Sequence, residues 1–82
     1  YKACYNIGAV CYDNQEYQKS IVYYQKAAKL DPKDDRVYYG IAASQYVLGQ
    51  LKNAETNCQT ALEINPNNDT AKTLLINIKK KQ

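Results

Sequence analysis

The chain has 82 residues, 45% of them hydrophobic, and a net charge of +3. A single globular core of that size is marginal. No stretch nears the ~20 apolar residues of a membrane span, and the positive excess, much of it in Lys79, Lys80 and Lys81, is too mild to signal nucleic acid. The elements expected from apolar periodicity and breaker residues are all helical. Residues 2–14 carry Cys4, Ile7, Gly8 and Cys11 on one stripe, at spacings of three and four. Asp13-Asn14-Gln15-Glu16 is polar and suits a turn. A second helix runs from Tyr17 to Leu30 and stops at Asp31-Pro32, because the residue before proline is pushed away from helical angles. Asp34 is the expected N-cap of a third helix over residues 35–48, which Gly49 ends. A fourth covers Lys52 to Ile64, stopped by Asn65-Pro66, and Asn68 caps a fifth from Asp69 to Lys80. The breaks are short, so neighbouring helices must pack antiparallel.

The sequence repeats every 34 residues: Tyr5, Ile7, Ala9, Tyr12, Gln25, Ala27 and Pro32 return as Tyr39, Ile41, Ala43, Tyr46, Gln59, Ala61 and Pro66. A period of this size signals stacked units, each needing a neighbour to bury its apolar face. The units resemble the tetratricopeptide repeat, through Ile7, Gly8, Tyr12, Tyr17, Tyr24, Ala27 and Pro32 in residues 1–34, and Tyr38, Ile41, Ala42, Gly49, Ala54, Ala61 and Pro66 in residues 35–68. Small residues at Gly8, Ala27, Ala42, Ala54 and Ala61 let helix axes approach to roughly 8–10 Å. Ser20 stands where the family usually has Ala. Cys4 and Cys58 replace large residues, so both sites are expected to pack more loosely. The resemblance implies an all-α solenoid of about five helices in a right-handed superhelix: two repeats and a capping helix over residues 69–80, all one domain. It also implies a concave groove, lined by the first helix of each unit, that commonly binds a peptide or helix of a partner protein.

The face of the first helix opposite the core stripe holds Lys2, Tyr5, Asn6, Ala9, Tyr12 and Asp13; 34 residues on, it holds Arg36, Tyr39, Gly40, Ala43, Tyr46 and Val47. Tyr5 and Tyr12 stack along one face, as do Tyr39 and Tyr46. Four rings form a two-by-two array, with Ala9 and Ala43 as floors and Gly40 widening the space. The core stripe is already supplied by Ile7, Gly8, Cys11, Ile41 and Ala42, which frees the tyrosines for a ligand; burial of some rings against neighbouring helices is the competing reading. Lys2, Asn6 and Arg36 are polar groups of the same groove. Arg36 either pairs a carboxylate bidentately or is a solvated charge beside Asp35.

Some members of the family grip the terminal carboxylates of heat-shock chaperones with Lys and Asn on one groove helix, Asn on the next and Lys/Arg on the third. At those places this chain has Tyr5 and Ala9, Gly40, and Thr70 and Leu74, so that role is not expected. With no histidine in the chain, the commonest general base and metal ligand is missing. Three cysteines are too few for a usual zinc site, and an odd count argues against a disulfide framework. No enzyme, cofactor or metal is therefore expected. The expectation is a protein-interaction module acting as adaptor, scaffold or chaperone part. Its rival is self-association, or assembly within a longer repeat scaffold. Neither nucleic acid nor membrane insertion is expected. The chain lacks an initiator Met and reads as a piece of a longer protein, with the cytoplasm slightly favoured by its cysteines.

Overall fold

Five helices succeed one another in the computed structural model, which describes residues 2–82; Tyr1, where the first repeat begins, lies outside them. They are α1 (Lys2–Asp13), α2 (Tyr17–Leu30), α3 (Asp35–Val47), α4 (Leu51–Ile64) and α5 (Asp69–Lys81). Helix ends differ from the sequence expectation by about one residue, the usual scatter at frayed termini. The stop signals act as their chemistry requires. Asp31 (φ −142°, ψ 90°) and Asn65 (φ −137°, ψ 94°) are both extended before proline. The Asp34 carboxylate accepts the Arg36 N–H at 3.0 Å, and the Asn68 side chain accepts the Ala71 N–H at 3.0 Å, each satisfying an orphan donor of a first turn.

The helices stack in sequence. α2 packs between α1 and α3, and α4 between α3 and α5, while α3 also touches α1 and α5 along one side. Two clusters fill the spaces. Ile21, Tyr24 and Ala27 of α2 meet Val37 and Ile41 of α3. Ala54 and Cys58 of α4 meet Ala42 and Ala43 of α3 and Leu74 and Ile78 of α5. Each large side chain buried this way contributes roughly 1.5–3 kcal/mol. Polar groups inside are paired. The Ser20 hydroxyl donates to the Gly8 carbonyl at 2.8 Å and accepts from the Ser44 hydroxyl at 3.3 Å, tying α1, α2 and α3 together.

The two clusters solve one packing problem in opposite ways. In the first, the Tyr24 ring lies between two glycines: a Cβ on Gly8 would sit 3.0 Å from its Cδ1, and one on Gly40 would sit 2.6 Å from its Cζ. One period later the same three positions are Ala42, Cys58 and Leu74: the central residue is smaller than Tyr24, and both of its neighbours are larger than glycine. Cys58 therefore does not pack loosely: it is fully buried, because Leu74 supplies the volume that Gly40 leaves to Tyr24. Cys4 is partly exposed. Burial pushes the Cys58 thiol up to about 11, so it packs as a neutral, apolar group. All three cysteines are free.

Ile7 departs from its expected place in the core: 41% of it is exposed. Gly8 and Cys11, on the neighbouring side of α1, face α2 and are buried. Among the described residues, no helix covers the side that Ile7 occupies.

Candidate functional site

The 34-residue period sets four rows along one side of α1, α3 and α5. They are Lys2, Arg36 and Thr70; Tyr5, Tyr39 and Thr73; Ala9, Ala43 and Asn77; and Tyr12, Tyr46 and Lys80. Three adjoining hollows run across this side. The first, 200 Å³, is lined by Lys2, Tyr5, Asn6 and Arg36. Tyr5 and Arg36 also border the second, 110 Å³, together with Tyr12, Tyr24, Tyr39, Gly40 and Ala43. Tyr39 in turn borders the third, 270 Å³, with Asp69, Thr70, Thr73, Leu74 and Asn77.

Of the residues expected at the site, Tyr5, Tyr12, Tyr39, Arg36, Gly40 and Ala43 come together around the middle hollow, and Lys2 and Asn6 extend it at one end. Ala9 is half-buried against the α2–α3 cluster. Tyr46 stands apart from these hollows: it packs against the α4–α5 cluster, and the Lys81 Nζ lies 5.0 Å above its ring. Gly40 does not widen the groove, because the Tyr24 ring occupies the space its missing Cβ leaves.

The middle hollow is walled by tyrosines that hold one another. Tyr5 meets Tyr24 edge-on at 5.7 Å between centroids, and Tyr12 meets Tyr17 edge-on at 5.4 Å, the geometry ring quadrupoles favour. Burial, then the neighbouring Tyr5, raises the Tyr24 hydroxyl to about 12. Burial also raises Tyr12, with smaller contributions from Tyr39 and Tyr17, and raises Tyr39. All three stay protonated near neutral pH.

Arg36 resolves both of its sequence readings into a third. Its guanidinium grips Asp34, not Asp35, with Nε 3.1 Å from Oδ1 and Nη2 2.9 Å from Oδ2. Its charged end also lies 4.9 Å above the Tyr5 ring. These hydrogen bonds hold the Asp34 carboxyl below its ordinary range and raise the guanidinium. Asp35 instead accepts from Asn65 at 3.1 Å and Asn68 at 2.8 Å, joining the two ends of the second unit.

Of the third hollow, Thr70 and Leu74 were placed on a groove helix from the sequence, whereas Thr73 and Asn77 were missed, although the signal was available. Carrying the step of 34 from Arg36, Tyr39 and Ala43 into α5 lands on Thr70, Thr73 and Asn77. Tyr24 was missed because it belongs to α2 and reaches the groove only through the gap at Gly40. Among the described residues, no group of His, Cys, Asp and Glu is placed to hold a metal ion, and no helix is long and apolar enough to cross a membrane.

Helix pairs repeating at 34 residues and stacked in sequence define a helical-repeat protein. The tetratricopeptide repeat family matches over residues 1–34 and 36–68, and the chain belongs to it. The fold is similar to the TPR2B domain of yeast Sti1, solved with an Hsp70 peptide, at TM-score 0.95 and 21% identity over 98% of this chain and 64% of that one. It is similar also to the first TPR domain of Spaghetti (RPAP3), bound to the HSP90 peptide SRMEEVD, at TM-score 0.92 and 19% identity over 95% and 63%. The second TPR domain of human RPAP3, in complex with the HSP70 peptide SGPTIEEVD, matches at TM-score 0.89 and 25% identity over 93% and 63%. The chain thus spans less than two thirds of the length of each. No curated protein matches it in sequence.

Proposed function

We propose that this chain is a non-enzymatic protein-interaction module, part of an adaptor, scaffold or chaperone, which holds a peptide segment of a partner protein across α1, α3 and α5. The observation that carries this reading is the row of hollows, joined through Tyr5, Arg36 and Tyr39. Half-buried tyrosines offer broad contact area at small entropic cost, and their hydroxyls suit peptide carbonyls. The solved domains of the same fold bind short peptides, which supports the reading.

The chemistry of the groove differs from a carboxylate grip. Gly40, Thr70 and Leu74 carry no charge where chaperone-tail binders of the family place Asn, Lys and Arg, and Arg36 is already paired with Asp34. The groove therefore favours an uncharged stretch at its centre. An acidic group fits at the Lys2 end, away from Asp69.

Peptides selected from a displayed random library on the intact chain provide the test. Tyr5→Ala together with Tyr39→Ala is expected to weaken them at least tenfold, a loss of about 1.4 kcal/mol or more, while Val22→Ala on the exposed side of α2 leaves them unchanged. Equal binding by the wild type and the double variant would contradict the assignment.

A further inference from the structure

The N-cap of α3 carries a charge that capping does not require. One period on, Asn68 caps α5 with a neutral amide: its Oδ1 accepts the Ala71 N–H at 3.0 Å and the Thr70 hydroxyl at 2.7 Å. Asparagine and aspartate serve about equally well at this position. At Asp34, Oδ1 accepts the Arg36 N–H at 3.0 Å and Nε at 3.1 Å, and Oδ2 accepts Nη2 at 2.9 Å. The acid thus goes with an arginine in the first case, and the amide with a threonine in the second. The Asp34 side chain is 9% exposed and that of Arg36 62%, so the carboxylate is covered while the arginine faces solvent. Arg36 also stands where two hollows meet, the 200 Å³ one beside Lys2 and the 110 Å³ one among the tyrosines. Its charged end lies 4.9 Å above the Tyr5 ring.

We infer that Asp34 is a specificity-determining residue of the groove: it occupies and neutralises Arg36, and so turns away acidic segments that the released guanidinium would hold. The inference rests on the peptide-binding reading of that site. A guanidinium bordering a groove is a ready fork for a ligand carboxylate. Here the edge formed by Nε and Nη2 is taken from within, and its charge is balanced there. The internal acid is two residues away, so its effective concentration far exceeds that of a free peptide. Once the acid is gone, Tyr5 still holds the guanidinium over the groove through its ring face. Lys2, lining the same 200 Å³ hollow, adds a second positive charge beside it.

Asp34→Asn keeps the cap, as Asn68 does, and releases Arg36. Displayed random peptides are selected in parallel on the wild-type chain and on this variant, and the binders are then titrated by calorimetry. The variant is expected to enrich peptides carrying Asp or Glu, and these are expected to bind the wild type weaker by roughly tenfold or more. Arg36→Gln added to Asp34→Asn is expected to abolish the gain. Two results would overturn the inference while leaving the groove in place: the same charge composition selected on both chains, with both sets still weakened by Tyr5→Ala and Tyr39→Ala, or an equal gain from Asp34→Asn with and without Arg36, which would show that loss of a negative charge alone accounts for it. Binders on both chains that ignore the two tyrosine changes would instead remove the groove reading, and this inference with it.

Discussion

Gln15 and Gly49 occupy the same place in successive units, and both have positive φ, 65° and 82°. Each turns the chain from the first to the second helix of its unit. For an L-residue the left-handed conformation costs about 1–2 kcal/mol, part of which glycine returns as greater freedom in the unfolded chain. Gln15→Gly is therefore expected to stabilise the fold by about 0.5–1 kcal/mol, seen as a rise of a few degrees in a circular-dichroism melt. Gly49→Gln is expected to move the melt the other way. No change from either would mean that Gln15 is held by contacts outweighing its backbone strain. Nothing in the sequence of the first turn announces this strain; it emerges only when the turn is aligned with its repeat at Gly49.

Between helices, the governing feature is the exchange of large and small residues between the two clusters. Tyr24 with Gly40 in one does the work of Cys58 with Leu74 in the other. Tyr24→Cys alone opens a cavity, at a cost of about 3 kcal/mol. Gly40→Leu alone drives a side chain into the ring and costs about 1–3 kcal/mol or more. The double variant brings the first cluster close to the second cluster's solution, with Gly8 still in place of Ala42, so the two changes are expected to offset each other by about 2 kcal/mol in a urea-denaturation cycle. Strict additivity would show that the two positions do not share one space. The helices themselves were legible in the sequence, since Asp31-Pro32, Asp34, Gly49, Asn65-Pro66 and Asn68 act within a few residues of where they stand. The complementarity was not. It joins positions sixteen residues apart on different helices, and Cys58 read alone looks like a missing aromatic.

At the scale of the whole molecule, one period lays a row of hollows along α1, α3 and α5, the proposed groove. The groove was legible in part. Tyr5, Tyr12 and Tyr39 meet around one hollow because their spacing fixes a helix face, whereas Tyr46 turns to α5 and Lys81 because α5 continues the array beyond α3. Arg36 was not legible, because its partner is its own helix cap, Asp34. Ile7 was misread as core because periodicity identifies an apolar stripe without saying whether a neighbour covers it. The central claim is that partners are read by the concave side of α1, α3 and α5. The most direct measurement is an amide chemical-shift titration of the chain with a library-selected peptide. Perturbations are expected at Tyr5, Tyr39, Thr73 and their neighbours along the row of hollows; perturbations confined to the outer faces of α2 and α4, at Val22, Lys29 or Glu63, would contradict it.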